Sequence, residues 1–355
     1  MRRVKLKITD RCNLDCRCCW SAAELESGGL PEAGTGDCSP EIVERAIDDA
    51  AEAGWDGIIL CGGEASLVSE CPAYIRRAKD RRLEVMMNTN GAGLTPGLID
   101  ELIAAGLDIL MVSIYSLDRG LYRDVRGGGR DAFDRVMASA AHLSSRLRRN
   151  PGLLDVRIMA VLMKPTLGGL PDLLRFVLEG GFSALSTNYL VGAGNFPDLK
   201  LSAEDLRTFR SDVAPRLEAV IDKSDLDEAA KEAGVRAVRS FFARPNVTLE
   251  NWSDGEYRPD GRADCNCRDR FLLVRPDGTS APCWGFEFTD DPRYTETMTR
   301  ANRLPAILAG RRFERFWSSS FDFCRYCPKG FQVWIPARRV PPRRPGADPP
   351  AGRGG

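Results

Sequence analysis

The sequence predicts an α/β protein with a largely parallel sheet, and three observations predict it. Short apolar runs rich in Val, Ile and Leu alternate with longer helix-patterned stretches through the first two-thirds of the chain. The runs are nearly continuous rather than alternating, as in strands covered by helices on both faces. The helix boundaries carry punctuation. Ser39-Pro40 and Thr95-Pro96 read as an N-cap followed by a proline at the first helical position, and Gly54, Gly106 and Gly180 stand where C-caps belong.

Strands are expected at 4–8, 57–61, 84–87, 108–115, 155–162 and 184–190, and helices at 40–53, 72–81, 95–105, 131–149, 170–179 and 202–223. Six units over residues 1–225 fall short of the eight, about 250 residues in all, that close a full barrel. A partial (β/α)6 TIM-like barrel, or an open curved sheet, is therefore expected. Residues 226–262 read as a helical bridge with its core at 225–242, then a linker rich in Pro, Gly and Asp at 244–262. A small cysteine-bearing α+β module is expected over 263–335, and a disordered Pro-, Arg- and Gly-rich tail over 336–355.

With 355 residues and 43% apolar content, the chain can bury a sizeable core. Lys plus Arg and Asp plus Glu balance at 50 each, which points away from nucleic acid or an anionic membrane as a bulk partner. The start, Met1-Arg2-Arg3-Val4-Lys5, is charged with no apolar stretch behind it. No run approaches the roughly 20 apolar residues of a membrane helix. A cytoplasmic protein is expected. Twelve cysteines without a secretion signal point to metal or redox chemistry rather than disulfides. Only one histidine exists, His142, so mechanisms needing a His base or several His ligands are disfavoured; on its helix it reads as structural. Cys38 and Cys71 read as ordinary residues.

Cys12, Cys16 and Cys19 form Cys-x-x-x-Cys-x-x-Cys directly after the first strand. Thiolates are soft ligands that suit iron–sulfur clusters and zinc. A structural zinc site closes on four ligands, and no fourth is near except Cys18, whose spacing is wrong. Three thiolates on a 4Fe–4S cube leave one iron open. In α/β barrels chemistry sits at the C-terminal strand ends, and unusual residues gather there. The second strand ends in Cys61-Gly62-Gly63-Glu64, the third in Asn88-Thr89-Asn90-Gly91, and the fourth in Ser113-Ile114-Tyr115-Ser116, followed by Arg126-Gly127.

This cysteine spacing after a first strand resembles the radical S-adenosylmethionine (SAM) superfamily. The resemblance implies that the open iron takes the amine and carboxylate of SAM and that Gly62, Gly63 and Glu64 hold its amino group. It also implies that Asn90 belongs to the cofactor site and that Ser113 and Arg126 contact the ribose or carboxylate. Backbone at 188–192 would meet the adenine. One residue departs from the pattern: Cys18 stands where many members carry an aromatic side chain beside the adenine.

Beyond the expected linker, Cys265, Cys267, Cys283, Cys324 and Cys327 gather around a strand and a Pro276-Asp277-Gly278 hairpin turn. A hairpin with a cysteine at each end, plus a Cys-x-x-Cys, can close four thiolates on one metal group. The arrangement resembles the SPASM/twitch extension of radical SAM enzymes, in its shorter form. That form implies a second 4Fe–4S cluster on Cys265, Cys283, Cys324 and Cys327, with Cys267 as the alternative first ligand. A structural zinc ribbon on four of these cysteines stays open, because spacing alone does not separate zinc from iron–sulfur.

The implied activity is reductive cleavage of SAM, with an electron donor such as flavodoxin or ferredoxin, followed by hydrogen abstraction from a natural-product substrate. That substrate is expected to be an aminocyclitol- or sugar-type small molecule undergoing oxidation or epimerisation, or a ribosomal peptide. Ser113-Ile114-Tyr115-Ser116 resembles peptide maturases. Only eleven residues precede Cys12, and no leader-binding domain is expected there. A molybdopterin-precursor-synthase-like enzyme and a non-enzymatic, zinc-stapled binding protein remain as alternatives. No catalytic side chain is assigned.

Overall fold

Six parallel strands follow one another in chain order across the sheet: β1 (Arg3–Lys7), β2 (Gly57–Cys61), β3 (Glu84–Thr89), β4 (Ile109–Ser113), β5 (Asp155–Leu162) and β6 (Ala184–Tyr189). The computed structural model describes residues 1–19, 36–190, 197–242, 270–283, 291–319 and 333–338. Helices α1 (Pro40–Glu52), α2 (Cys71–Asp80), α3 (Pro96–Ala104), α4 (Arg119–Arg126), α5 (Ala132–Arg149) and α6 (Leu170–Glu179) connect the strands. The sheet is open, so the βα units form a partial barrel, as the sequence predicts.

Side-chain alternation divides the sheet into two faces. Val4, Leu6, Ile58, Leu60, Val85, Met87, Leu110 and Val112 pack under the helices in the main core. The opposite positions face the lumen, where Met86, Ile109 and Met111 form a second, smaller cluster with Ile59, Met159 and Trp334. β1 is the exception to the apolar reading. Its register sets Lys5 opposite Ile59 and Lys7 opposite Cys61 on the lumen side. The Lys7 ammonium is buried and lies 2.9 Å from Asp10 Oδ1 at the strand's end. A cation there is compatible with burial because its partner carboxylate comes from the next turn of the same chain.

The expected caps are present. Ser39 Oγ accepts from Ile42 N and Thr95 Oγ1 from Leu98 N, each with proline at the start of the helix. Gly54 and Gly106 take left-handed backbone after α1 and α3; after α6 Gly181 does so, one residue beyond Gly180. The long helix expected at 202–223 is broken into α7 (Ala203–Thr208), a π-helical turn at Phe209–Val213, and α8 (Ala214–Asp222). Pro215 explains the break, since it has no N–H to offer the carbonyl one turn back. α9 (Glu228–Arg239) occupies the expected bridge and is capped by Asp227.

The C-terminal hairpin continues the same sheet. β7 (Phe271–Val274) lies parallel beside β1, and β8 (Thr279–Ala281) and β9 (Glu296–Thr297) follow antiparallel. Gly278 makes the turn with φ 82°. α10 (Leu304–Leu308) and α11 (Arg311–Ser318) follow, and β10 (Val333–Pro336) closes the far side antiparallel to β6. The strand order is β10-β6-β5-β4-β3-β2-β1-β7-β8-β9. Asp49 of α1, fully buried, accepts from the Arg303 guanidinium and from Leu304 N at 2.8 Å, which fastens α10 to the barrel. Order runs past the boundary set at 336: Ala337 N donates to Ser183 O and Arg338 to Leu154 O, because β10 pairs with β6 up to that point. The linker at 244–262 and Cys265, Cys267, Cys324 and Cys327 lie outside the described residues. Among the described residues no helix is long and apolar enough to cross a membrane.

Candidate active site

β1 runs straight into the loop that carries the cysteine triad, at the C-terminal end of the sheet. Two glycine pairs hold that loop. On the β2 side, Gly63 N donates to Thr9 O and Glu64 N to Arg11 O, both at 2.8 Å. A Cβ on Gly62 would come 2.2 Å from Thr9 O, and one on Gly63 2.3 Å from Arg11 O, so only glycine allows this approach. On the other side, Arg17 N donates to Val125 O and Gly128 N to Asp15 Oδ1. Gly127 and Gly128 are left-handed there, and a Cβ on Gly127 would fall 1.7 Å from the Asp15 carboxylate. Gly62 and Gly63 are legible in the sequence. The second clamp is not, although the run Gly127-Gly128-Gly129 was its signal.

Cys12 and Cys19 are exposed, Cys16 is half-buried, and Cys19 N donates to Cys16 O at 3.0 Å, which closes the turn. Burial pushes the Cys16 thiol up to about 11 against the pull of the Arg126 charge, and burial also raises Cys12. Iron would displace these protons, since a coordinated thiol is a thiolate. Among the described residues no three His, Cys, Asp or Glu side chains already stand in metal-binding geometry. The triad is gathered by its loop rather than pre-closed. Cys18 packs in the core, where burial pushes its thiol up to about 12. Cys38 and Cys71 are core residues too, each pushed to about 12 by burial, which fits their reading as ordinary side chains.

The predicted cofactor residues converge around the triad. Glu64 is 1% exposed, and its carboxylate accepts from Ser66 N (3.0 Å), Thr89 Oγ1 (2.6 Å) and Asn90 N (2.5 Å). Two of these bonds fall on Oε1 and one on Oε2, which leaves Oε2 an acceptor position. Asn90 reaches Cys12 and Asn13 through its amide. Ser113 ends β4, buried. Arg126 is 3% exposed, its Nε and Nη2 have no hydrogen-bond partner, and its guanidinium stacks 4.2 Å from the Tyr115 ring centroid. A buried cation without an anion is costly unless a ligand completes it. An open carboxylate acceptor and a guanidinium with two unpartnered nitrogens match an ammonium and a carboxylate, the two charged ends of an amino acid. The residues present therefore fit SAM. Tyr115 as the platform under Arg126 and Asn13 as the partner of Asn90 are contacts that sequence reasoning missed, because neither has a motif of its own.

Cys283 is buried just after β8. β8 runs back towards the N-terminal end of β1, so Cys283 lies towards the opposite mouth of the lumen from the triad. His142 sits on α5 with Nε2 3.6 Å from Asp100 of α3, consistent with a structural role.

Residues 6–177 match the family described as the Radical SAM superfamily. A probable GTP 3',8-cyclase of Halobacterium salinarum is 29% identical over 320 residues, covering 85% of this chain and 86% of that protein. A PqqA peptide cyclase of Ruegeria pomeroyi is 30% identical over 284 residues, covering 79% of this chain and 67% of that protein. The crystal structure of Streptococcus suis SuiB bound to S-adenosylmethionine superposes with a TM-score of 0.62 at 14% identity, covering 92% of this chain and 70% of that one. At that identity the likeness is one of fold. The chain belongs to the radical SAM superfamily and is an enzyme of that class. The superfamily implies a 4Fe–4S cluster and SAM.

Proposed function

We propose that Cys12, Cys16 and Cys19 ligate a 4Fe–4S cluster and that Gly62, Gly63, Glu64, Asn90, Ser113 and Arg126 hold SAM against its open iron. The observation that carries this reading is the buried Arg126 guanidinium beside the triad, with no carboxylate paired to it among the described residues and with Nε and Nη2 left without partners. When bound, the cluster would pass one electron to SAM, whose C–S bond would break to give methionine and a 5′-deoxyadenosyl radical able to abstract hydrogen from an unactivated carbon. The chain's own residues do the positioning. Glu64 Oε2 would accept from the SAM ammonium, and Arg126 would donate to its carboxylate or ribose. The two glycine clamps bring the loop backbone close. The apolar lumen layer of Ile59, Met86, Ile109, Met111 and Met159 keeps water from the reacting carbon. An external one-electron donor such as flavodoxin or ferredoxin serves the cluster.

The substrate reading is a natural product, either a ribosomal peptide or an aminocyclitol- or sugar-type molecule, lodged in the lumen. The Ruegeria relative supports the peptide form. Cys283, with Cys265, Cys324 and Cys327, would carry a second 4Fe–4S cluster near the far mouth of the lumen, where it could take an electron from the substrate or orient it. A second reading, a purine nucleotide substrate, is favoured by the near full-length similarity to the Halobacterium relative.

Anaerobic reconstitution followed by a reductant and SAM tests the central claim. Methionine and 5′-deoxyadenosine should form, and Cys12→Ala, Cys16→Ala and Cys19→Ala should each abolish them. Absence of both products from the iron-loaded protein would sink it. Which addition consumes SAM in step with its own conversion, a precursor peptide, an aminocyclitol or GTP, then separates the substrate readings.

A further inference from the structure

Asn90 is hydrogen-bonded through its backbone N–H and through both ends of its side-chain amide. Its backbone N donates to Glu64 Oε2. Its side-chain oxygen accepts from Ala92 N at 2.8 Å, which fixes the amide's orientation: the oxygen is committed, so the NH2 must point the other way. That NH2 has two hydrogens and two acceptors, Asn13 Oδ1 at 2.7 Å and Cys12 Sγ at 3.7 Å. Asn90 is 7% exposed and directly follows a strand end braced by the bond from Thr89 to Glu64, so its amide is held in place. A rigid N–H aimed at a cluster sulfur stabilises the added negative charge of the reduced state, and hydrogen bonds to cluster sulfurs are among the levers that set reduction potential.

We infer that Asn90 is a positioning residue that raises the reduction potential of the cluster held by Cys12, Cys16 and Cys19, through the hydrogen bond from its amide to Cys12 Sγ. The inference rests on the assignment of those three cysteines as ligands. Asn13, by holding the second amide hydrogen, keeps the first on the sulfur.

The test is a redox titration of the full-length reconstituted protein, following by electron paramagnetic resonance the reduced-cluster signal that changes when SAM is added. Asn90→Ala removes the donor. Asn90→Asp removes it while keeping the acceptor for Ala92 N, and adds a negative charge beside Cys12. Both should keep full iron and sulfide. At a fixed potential the ratio of reduced to oxidised cluster should fall about tenfold in Asn90→Ala, equivalent to about 59 mV for one electron, and further in Asn90→Asp. An unchanged potential in a variant that retains its iron overturns the inference. If both variants lose iron, the unaltered protein labelled with 15N at the asparagine side-chain amide decides. A hyperfine coupling from that nitrogen to the reduced cluster supports the bond to Cys12, and its absence refutes it. Failure of the unaltered protein to bind iron at all would instead strike the ligand assignment.

Discussion

Arg126 shows how one residue can be badly placed for stability and well placed for a ligand. It ends α4, is 3% exposed, and leaves Nε and Nη2 without partners. The Tyr115 ring offsets part of that cost through its face, but a ring supplies no hydrogen-bond acceptors in the guanidinium plane. Replacing Arg126 by methionine should therefore raise the urea midpoint of the SAM-free protein, since an uncompensated buried charge disappears. It should also weaken SAM binding at least tenfold, the loss of a charge-assisted hydrogen bond worth about 1.5–3 kcal/mol. Equilibrium dialysis of radiolabelled SAM on the iron-loaded protein checks the second effect. Unchanged affinity would remove Arg126 from the site. The glycines at 62, 63, 127 and 128 act by what they lack: at each, a methyl group would collide with the cysteine loop or its neighbours.

Among the elements, α10 depends on a single buried carboxylate of α1. Asp49 is fully buried, takes the Arg303 guanidinium and accepts from Leu304 N at the start of α10. Asp49→Ala leaves a buried N–H unsatisfied and removes one of the two carboxylates paired with Arg303, the other being Glu52. It should cost about 2–3 kcal/mol in urea unfolding, at the low end because the Arg303 side chain is itself 43% exposed. Asp49→Asn should cost less, since the amide oxygen still accepts from Leu304 N. Equal losses in the two variants would contradict the capping role. The broken helix between Ala203 and Asp222 is an element-scale effect of another kind: Pro215 removes one donor, and a π turn absorbs the mismatch.

At the scale of the molecule, both added edges of the sheet come from the C-terminal third of the chain. β7 extends it beside β1, and β10 pairs with β6 almost 150 residues earlier (Thr187 with Val333). Trp334 of β10 packs on the lumen cluster of Met86, Ile109 and Met111, with Arg157 4.9 Å from its ring centroid. Trp334→Ala should cost about 2 kcal/mol, less than a fully buried aromatic because the ring is only partly covered. It should also open the lumen, read as increased binding of an apolar dye. A stability unchanged within error would mean that β10 is held by its backbone pairing alone.

The strands β1 to β6, five of their six helices, the N-caps at Ser39 and Thr95 and the spacing of Cys12, Cys16 and Cys19 could be read before any coordinates, because each is marked by short-range chemistry; α4 was not foreseen, and Gly62, Gly63, Glu64, Asn90, Ser113 and Arg126 were named through the family resemblance that the cysteine spacing carries. Periodicity, caps and tight cysteine spacing are properties of neighbours along the chain. What the sequence left open depends on residues far apart in it. Tertiary structure alone brought β7 to β1 and β10 to β6, turned Lys5 and Lys7 into the lumen, set Tyr115 under Arg126, and aimed the Asn90 amide at Cys12. Such contacts follow from register and closure of the sheet, and a pairing across tens or hundreds of residues leaves no local pattern by which to read it.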